Sequence, residues 1–314
     1  MDGPQLASVS VDLDSLHHYC RIHGLPESLL DARVRGLVYG AAVPRFVELF
    51  NEVGLPATFF AIGEDLELAG AAAALRASHA AGVEVASHSF AHDYALSRRS
   101  PGEMAEDVRR SLDVLEQAVG TRPVGFRAPG YTLSPALYQA LCDAGLAYDS
   151  STFPAAPYYA AKAAVMGALA LLGRPSRSVL DRPRVLAAPT VPYRPDAEEP
   201  YARGRGAVVE LPVAVSPVLR VPFIGTLAVA APWPLVRQAY GALRGAVHLN
   251  FELHAVDLLG GEDGLPGPLL RQQRDLGVPW VEKRRRLREV FRWMQRDFQV
   301  VTLRDAAAQL APSL

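Results

Sequence analysis

Residues 82–93 read GVEVASHSFAHD, and the organisation of the rest of the chain follows from them. Gly82 to Ala86 is a short apolar run entering a turn, the form of a buried strand. Ser87 to Asp93 then places two histidines, His88 and His92, four residues apart just beyond it. Imidazole is the commonest protein ligand for metals, and a strand that ends by turning can aim both rings into one pocket. A third ligand has to come from elsewhere in the chain.

Composition narrows the field. With 314 residues, half of them hydrophobic, the chain is globular and can bury a substantial core. It is read as one α/β domain spanning 1–314. A formal net charge of -1 argues against binding nucleic acid or an anionic membrane through bulk electrostatics. The two cysteines, Cys20 and Cys142, are too few for a disulfide framework. The opening residues MDGPQ show neither a basic stretch nor an apolar core, so no signal peptide is expected. No run is long and clean enough for a membrane span. The expected location is cytoplasmic, with attachment to the membrane periphery as a variant of it.

Upstream, Leu6 to Leu16 alternates, with Val9, Val11 and Leu13 on one face and Ser8, Ser10, Asp12 and Asp14 on the other. A strand with this pattern puts the Asp12 and Asp14 carboxylates on one face, about 7 Å apart along the backbone. Two acids facing one pocket repel unless a cation or an arginine separates them. Downstream, strand and helix alternate with short connections. Helical spacing covers 43–53, 66–81, 100–120 and 135–144; strands are expected at 57–63, 124–127 and 146–149. The alternation breaks over 154–206, where an alanine-rich apolar helix, 158–173, with Lys162 its only charge, precedes a segment rich in Pro and Arg. Its expected role is a cap, packed with the apolar stretch 213–236 over the mouth of the fold. Strands resume at 207–212 and 246–254, and a long helix at 280–296 leads to a closing strand at 298–303. The pattern is that of a parallel sheet or barrel covered by helices.

In this layout Asp12, Asp14, His88, His92, Arg127, Asp149 and His254 fall at or just past the carboxyl ends of strands, where parallel α/β folds build their sites. One aspartate and two histidines leave positions open on a zinc-type ion, which marks a catalytic site. A second carboxylate can take a proton from water, and a separate histidine can deliver one to a leaving group. The set fits metal-assisted hydrolysis. His17, His18 and His23 are expected in a loop after the first strand, either lining the mouth of the fold or, as loop histidines more often are, simply exposed to solvent. Trp233 and Trp280, among prolines, could stack on a sugar but are read as packing.

Four motifs in order, VDLDS at 11–15, SHSFAH at 87–92, FRAPGY at 126–131 and LHAVD at 253–257, resemble the polysaccharide deacetylases, metal-dependent carbohydrate esterases. The resemblance implies a distorted (β/α) barrel, usually of seven strands, and removal of an N-acetyl group from an amino sugar or glycan. Carried onto this chain, Asp14, His88 and His92 become the metal ligands and Asp12 the general base. Arg127 pairs with Asp12, and His254 protonates the departing amine. Gly130 and Tyr131 become candidates to offer backbone N–H groups to the oxyanion, and Asp149 and Asp257 candidates to tune His254. The implied ion is zinc, with cobalt, nickel or manganese as substitutes. Where the best-known members have adjacent aspartates followed by glycine, this chain separates Asp12 and Asp14 by Leu13 and continues with Ser15. The alternatives are an amidohydrolase acting on a non-sugar cyclic amide or ureide, and an inactive binding protein on the same fold. The apolar segments add a lipid-linked amino sugar as substrate, or a homo-oligomer interface.

Overall fold

Strands carry the site, and their register explains how. The computed structural model describes residues 5–171 and 179–314. Among these residues eight parallel strands, β1 (Leu6–Asp12), β2 (Thr58–Ala61), β3 (Glu84–Ser87), β4 (Gly125–Phe126), β5 (Tyr148–Asp149), β6 (Val209–Glu210), β7 (His248–His254) and β8 (Gln299–Val300), form one sheet. Its order is β6-β5-β4-β3-β2-β1-β7, with β8 beside the start of β1. Past β6 the chain meets β7, the Ala214 N–H donating to the Asn250 carbonyl at 3.0 Å. Seven strands thus make a curved half-barrel wall wrapped by helices, the distorted barrel expected from the motifs.

Alternation along each strand sorts the side chains. Val9, Val11 and Leu13 point outward into the main apolar core with Phe46, Leu49 and Phe50 of helix Val43–Val53, and Leu287, Val290 and Phe291 of helix Trp280–Asp297. Each such side chain contributes about 1.5–3 kcal/mol by leaving water. The opposite parity faces the barrel interior and is largely polar: Ser8, Ser10, Asp12, Glu84, Arg127, Ser150, Asn250 and Glu252 are all buried. β1 and β7 pair along seven residues, so Ser10 lies beside Glu252 and Asp12 beside His254.

Several local expectations are corrected. The helix expected over 66–81 begins only at Ala71, because Gly70 adopts φ +82° and Glu64–Glu67 forms a separate 3-10 turn. That turn buries Asp65. Leu16–Ile22, expected as loop, is a helix that buries His17 and His18. The apolar helix runs Ala156–Leu171; its expected end at 172–173 lies outside the described residues. Tyr158 and Ile224 pack on a cluster of Tyr131, Phe153, Ala155, Val213 and Val215, so the two apolar stretches do meet. The helix is nevertheless open to solvent, with Val165 59% and Leu171 91% exposed. In the described part of the Pro- and Arg-rich segment, Tyr193 exchanges backbone hydrogen bonds of 3.1 and 2.9 Å with Glu210.

Candidate active site

At the carboxyl ends of β1, β3, β4 and β7 the chain opens into a cleft of about 330 Å³, with Asp12, Asp14, His88 and His254 in its floor and Tyr19, Tyr94, Tyr131, Phe153 and Tyr158 among its walls. Asp14 Oδ1 lies 3.3 Å from the Nε2 atoms of both His88 and His92, all three residues being buried. This oxygen makes no hydrogen bond. Donors about 2.1 Å from a shared cation and 3.3 Å apart subtend about 104° there, close to tetrahedral. The three residues therefore fit a divalent ion, and they form one of the groups able to hold one. Burial pushes the Asp14 carboxyl up, but His92 and His88 beside it hold it well below the usual range.

The loop that presents the histidines is held from beneath. Ser89 and His92 have φ of +66° and +49°, conformations that non-glycine residues adopt at a cost. The Asp107 carboxylate, on helix Pro101–Val119, accepts the N–H groups of Phe90 at 2.9 Å and Ala91 at 3.2 Å. Ser111 donates to the Ser89 carbonyl at 3.0 Å, and Ser89 Oγ accepts the His92 N–H at 3.0 Å. The His88 ring is fixed through Nδ1, 2.8 Å from the Arg127 carbonyl. Such outer partners set the orientation of ligating imidazoles.

Asp12 lies apart from the pair of imidazoles, its Oδ2 3.9 Å from His88 Nε2. Its partner is Arg127, which is fully buried and donates from Nη1 to Asp12 Oδ1 at 2.6 Å. The guanidinium also donates to Ser10 Oγ, Ser150 Oγ and the Ser150 carbonyl, and lies 4.1 Å over the Phe60 ring. With every nitrogen of its planar fork engaged, Arg127 fixes one Asp12 oxygen and leaves the other toward the cleft.

The partner of His254 was missed from sequence: it is Glu252, whose Oε1 lies 2.8 Å from His254 Nδ1. Alternation along β7 carried the signal, since Asn250, Glu252 and His254 share the inward face. Burial favours the neutral ring, but Glu252, then Asp14 and Asp12, hold the His254 imidazolium well above its ordinary range. Neither expected tuner touches the ring. Asp257 accepts the His254 backbone N–H at 2.9 Å. Asp149 pairs with Phe126 of β4 in register, and that parity faces away from the barrel interior; its carboxyl accepts from Ser151 Oγ, and burial raises it to about 6. Gly130 and Tyr131 do line the cleft, but the Tyr131 N–H is spent on the Ala128 carbonyl at 3.0 Å, which removes it as an oxyanion donor. Trp233 packs 5.1 Å from Trp293, and Arg45 lies over Trp280, so both tryptophans serve packing.

Residues 37–148 match the family described as polysaccharide deacetylase. Over that stretch the chain is similar to that family. It is 30% identical over 158 residues to a peptidoglycan deacetylase of Helicobacter pylori, covering 49% of this chain and 52% of that protein. It is 27% identical over 146 residues to a peptidoglycan deacetylase-like protein of Gibberella zeae, covering 46% of this chain and 42% of that protein. The matches thus span about half the length of these relatives. A crystal structure from Mycobacterium smegmatis, attributed to a polysaccharide deacetylase, superposes with a TM-score of 0.64 at 18% identity, covering 99% of this chain and 92% of that one. This last likeness bears on the fold alone.

Proposed function

We propose that the chain is a metal-dependent hydrolase that removes the N-acetyl group of an amino sugar or glycan. The observation that carries the proposal is the convergence, in one cleft, of a donor set Asp14, His88 and His92, an acid Asp12 clamped by Arg127, and a His254–Glu252 pair. Asp14, His88 and His92 would hold a divalent ion, zinc by the nitrogen and oxygen chemistry of the donors, which when bound would supply Lewis acidity toward water and an amide carbonyl. Asp12, with one oxygen held by Arg127 and the other free, accepts the proton of the attacking water. His254, kept protonated by Glu252, delivers a proton to the departing amine nitrogen, without which a C–N bond expels a poor leaving group. Expulsion yields acetate and a free amino sugar. Gly130 remains the backbone candidate for the oxyanion.

The reading takes residues 1–314 as one catalytic domain, with 154–206 as its cap. Tyr158, Lys162, Val165 and Met166 of helix Ala156–Leu171 line the cleft, and Val165 and Leu171 are exposed. An apolar helix open to solvent at the mouth of a sugar site suits a substrate that carries a lipid chain, met at the inner face of the membrane. Among the described residues no helix is long and apolar enough to cross a membrane, and both cysteines are free thiols, as a reducing compartment keeps them.

Acetate release from the acetylated sugars, with ring opening followed for the cyclic amides, tests the reading. Zinc- or cobalt-loaded protein is offered soluble N-acetyl amino sugars, lipid-linked ones and small cyclic amides. Turnover of the sugars is expected, and Val165→Ser with Leu171→Gln should slow only the lipid-linked substrate. Turnover of cyclic amides alone would replace the sugar reading, and no turnover of any class would leave a binding protein.

A further inference from the structure

Behind the cleft, on the far side of the His92 ring, lies a second group of donors that the proposed reaction does not use. His17 and His18, adjacent on helix Leu16–Ile22, converge on Asp65 in the turn Glu64–Glu67. Asp65 Oδ1 is 3.7 Å from His17 Nε2 and 3.6 Å from His18 Nε2. One donor atom from each of the three lies within 4.8 Å of the other two. His18 and Asp65 are 1% exposed and His17 8%. The three are therefore cut off from bulk water on nearly every side.

These atoms do not satisfy one another. Both ring nitrogens of His18, Nδ1 of His17 and Oδ2 of Asp65 lack a hydrogen-bond partner, as does the nearby Tyr39 hydroxyl. A folded interior rarely leaves so many buried polar atoms together without a shared partner. Separations of 3.6–3.7 Å are too long for good nitrogen-to-oxygen hydrogen bonds. They do fit donors about 2.1 Å from one cation, subtending about 120° there. The donor chemistry, two imidazoles and one carboxylate, repeats that of the Asp14 site.

We propose that His17, His18 and Asp65 bind a second divalent cation of the zinc type, enclosed behind the first site. The ion ties helix Leu16–Ile22 to the turn that follows β2. It also stiffens the wall behind the first site, because the His18 and His92 ring centroids are 4.3 Å apart. The site stands on its own residues, so it holds or fails independently of the substrate proposed above.

Metal stoichiometry decides it, measured by elemental analysis of protein saturated with zinc and then desalted. Wild type is expected to hold two equivalents and His88→Ala one. His88→Ala combined with Asp65→Asn should hold none. In a zinc-edge anomalous map of wild type, one peak should lie among Asp14, His88 and His92, and the other among His17, His18 and Asp65. Chelator should still lower the Tm of His88→Ala but leave the double variant unmoved. One equivalent in wild type together with none in His88→Ala overturns the proposal, as does a single anomalous peak. Asp65→Asn preserves side-chain shape, and the wild-type counts and map decide the matter even if a variant fails to fold.

Discussion

Replacing Glu252 with glutamine removes one charge from beneath His254 while keeping the side chain's size. In the native site the Glu252 carboxylate sits 2.8 Å from His254 Nδ1, and the His254 side chain is 24% exposed. Opposite charges with centres about 4 Å apart attract by about 4 kcal/mol at an effective dielectric of about 20. That attraction is lost in the variant, so the His254 pKa is expected to fall, by less than the bare Coulomb figure implies because the ring is partly solvated. The sign follows from the direction of the native shift. The His254 pKa is raised, so the acid form is present below the folded pKa and lost as pH rises through it. Without Glu252 that loss comes at lower pH. The pH profile of kcat/KM for acetate release should therefore show its alkaline limb displaced to lower pH in Glu252→Gln, with bound metal unchanged. Superimposable alkaline limbs in the two proteins would refute His254 as the acid held by Glu252.

Other perturbations read the scaffold. Asp107→Ala deletes the acceptor for the Phe90 and Ala91 N–H groups and should weaken metal binding by about 10- to 100-fold, measured by chelator competition. Gly125→Ala drives a methyl to within 2.0 Å of the Tyr148 ring and should destabilise the fold by at least about 1–3 kcal/mol, seen as a lower denaturant midpoint. Arg127→Met strands Asp12 as a buried charge, at about 3–5 kcal/mol; an unchanged midpoint would show that the pair does not brace the barrel.

The site was legible in sequence wherever strand parity and motif spacing acted together. Asp12 and Asp14 share the inward face of β1 and its extension, and His88 and His92 follow a buried strand, so their meeting needed only a parallel sheet. Asp149 was placed correctly at a strand end but on the wrong face, because β5 is two residues long and shows no alternation of its own. Glu252 obeys the same parity as His254 and went unread because a buried acid in an apolar strand looks like part of the core run HLNFELH. His17 and His18 could not be placed without Asp65, which a continuous helix over 66–81 would have left outside any turn; the break at Gly70 is a tertiary choice. The supports from Asp107 and Ser111 arise from helix packing across the sheet and carry no local signature.

The division of labour between two aspartates two residues apart is the centre of the account, and parallel measurement of metal content and turnover in Asp12→Asn and Asp14→Asn tests it most directly. Asp14 faces both imidazoles, and Asp12 is bound to Arg127. Asp12→Asn should therefore keep the wild-type metal content while losing turnover, and Asp14→Asn should hold one ion fewer and lose turnover with it. An Asp12→Asn protein that loses the ion, beside an Asp14→Asn protein that keeps it, would contradict the assignment.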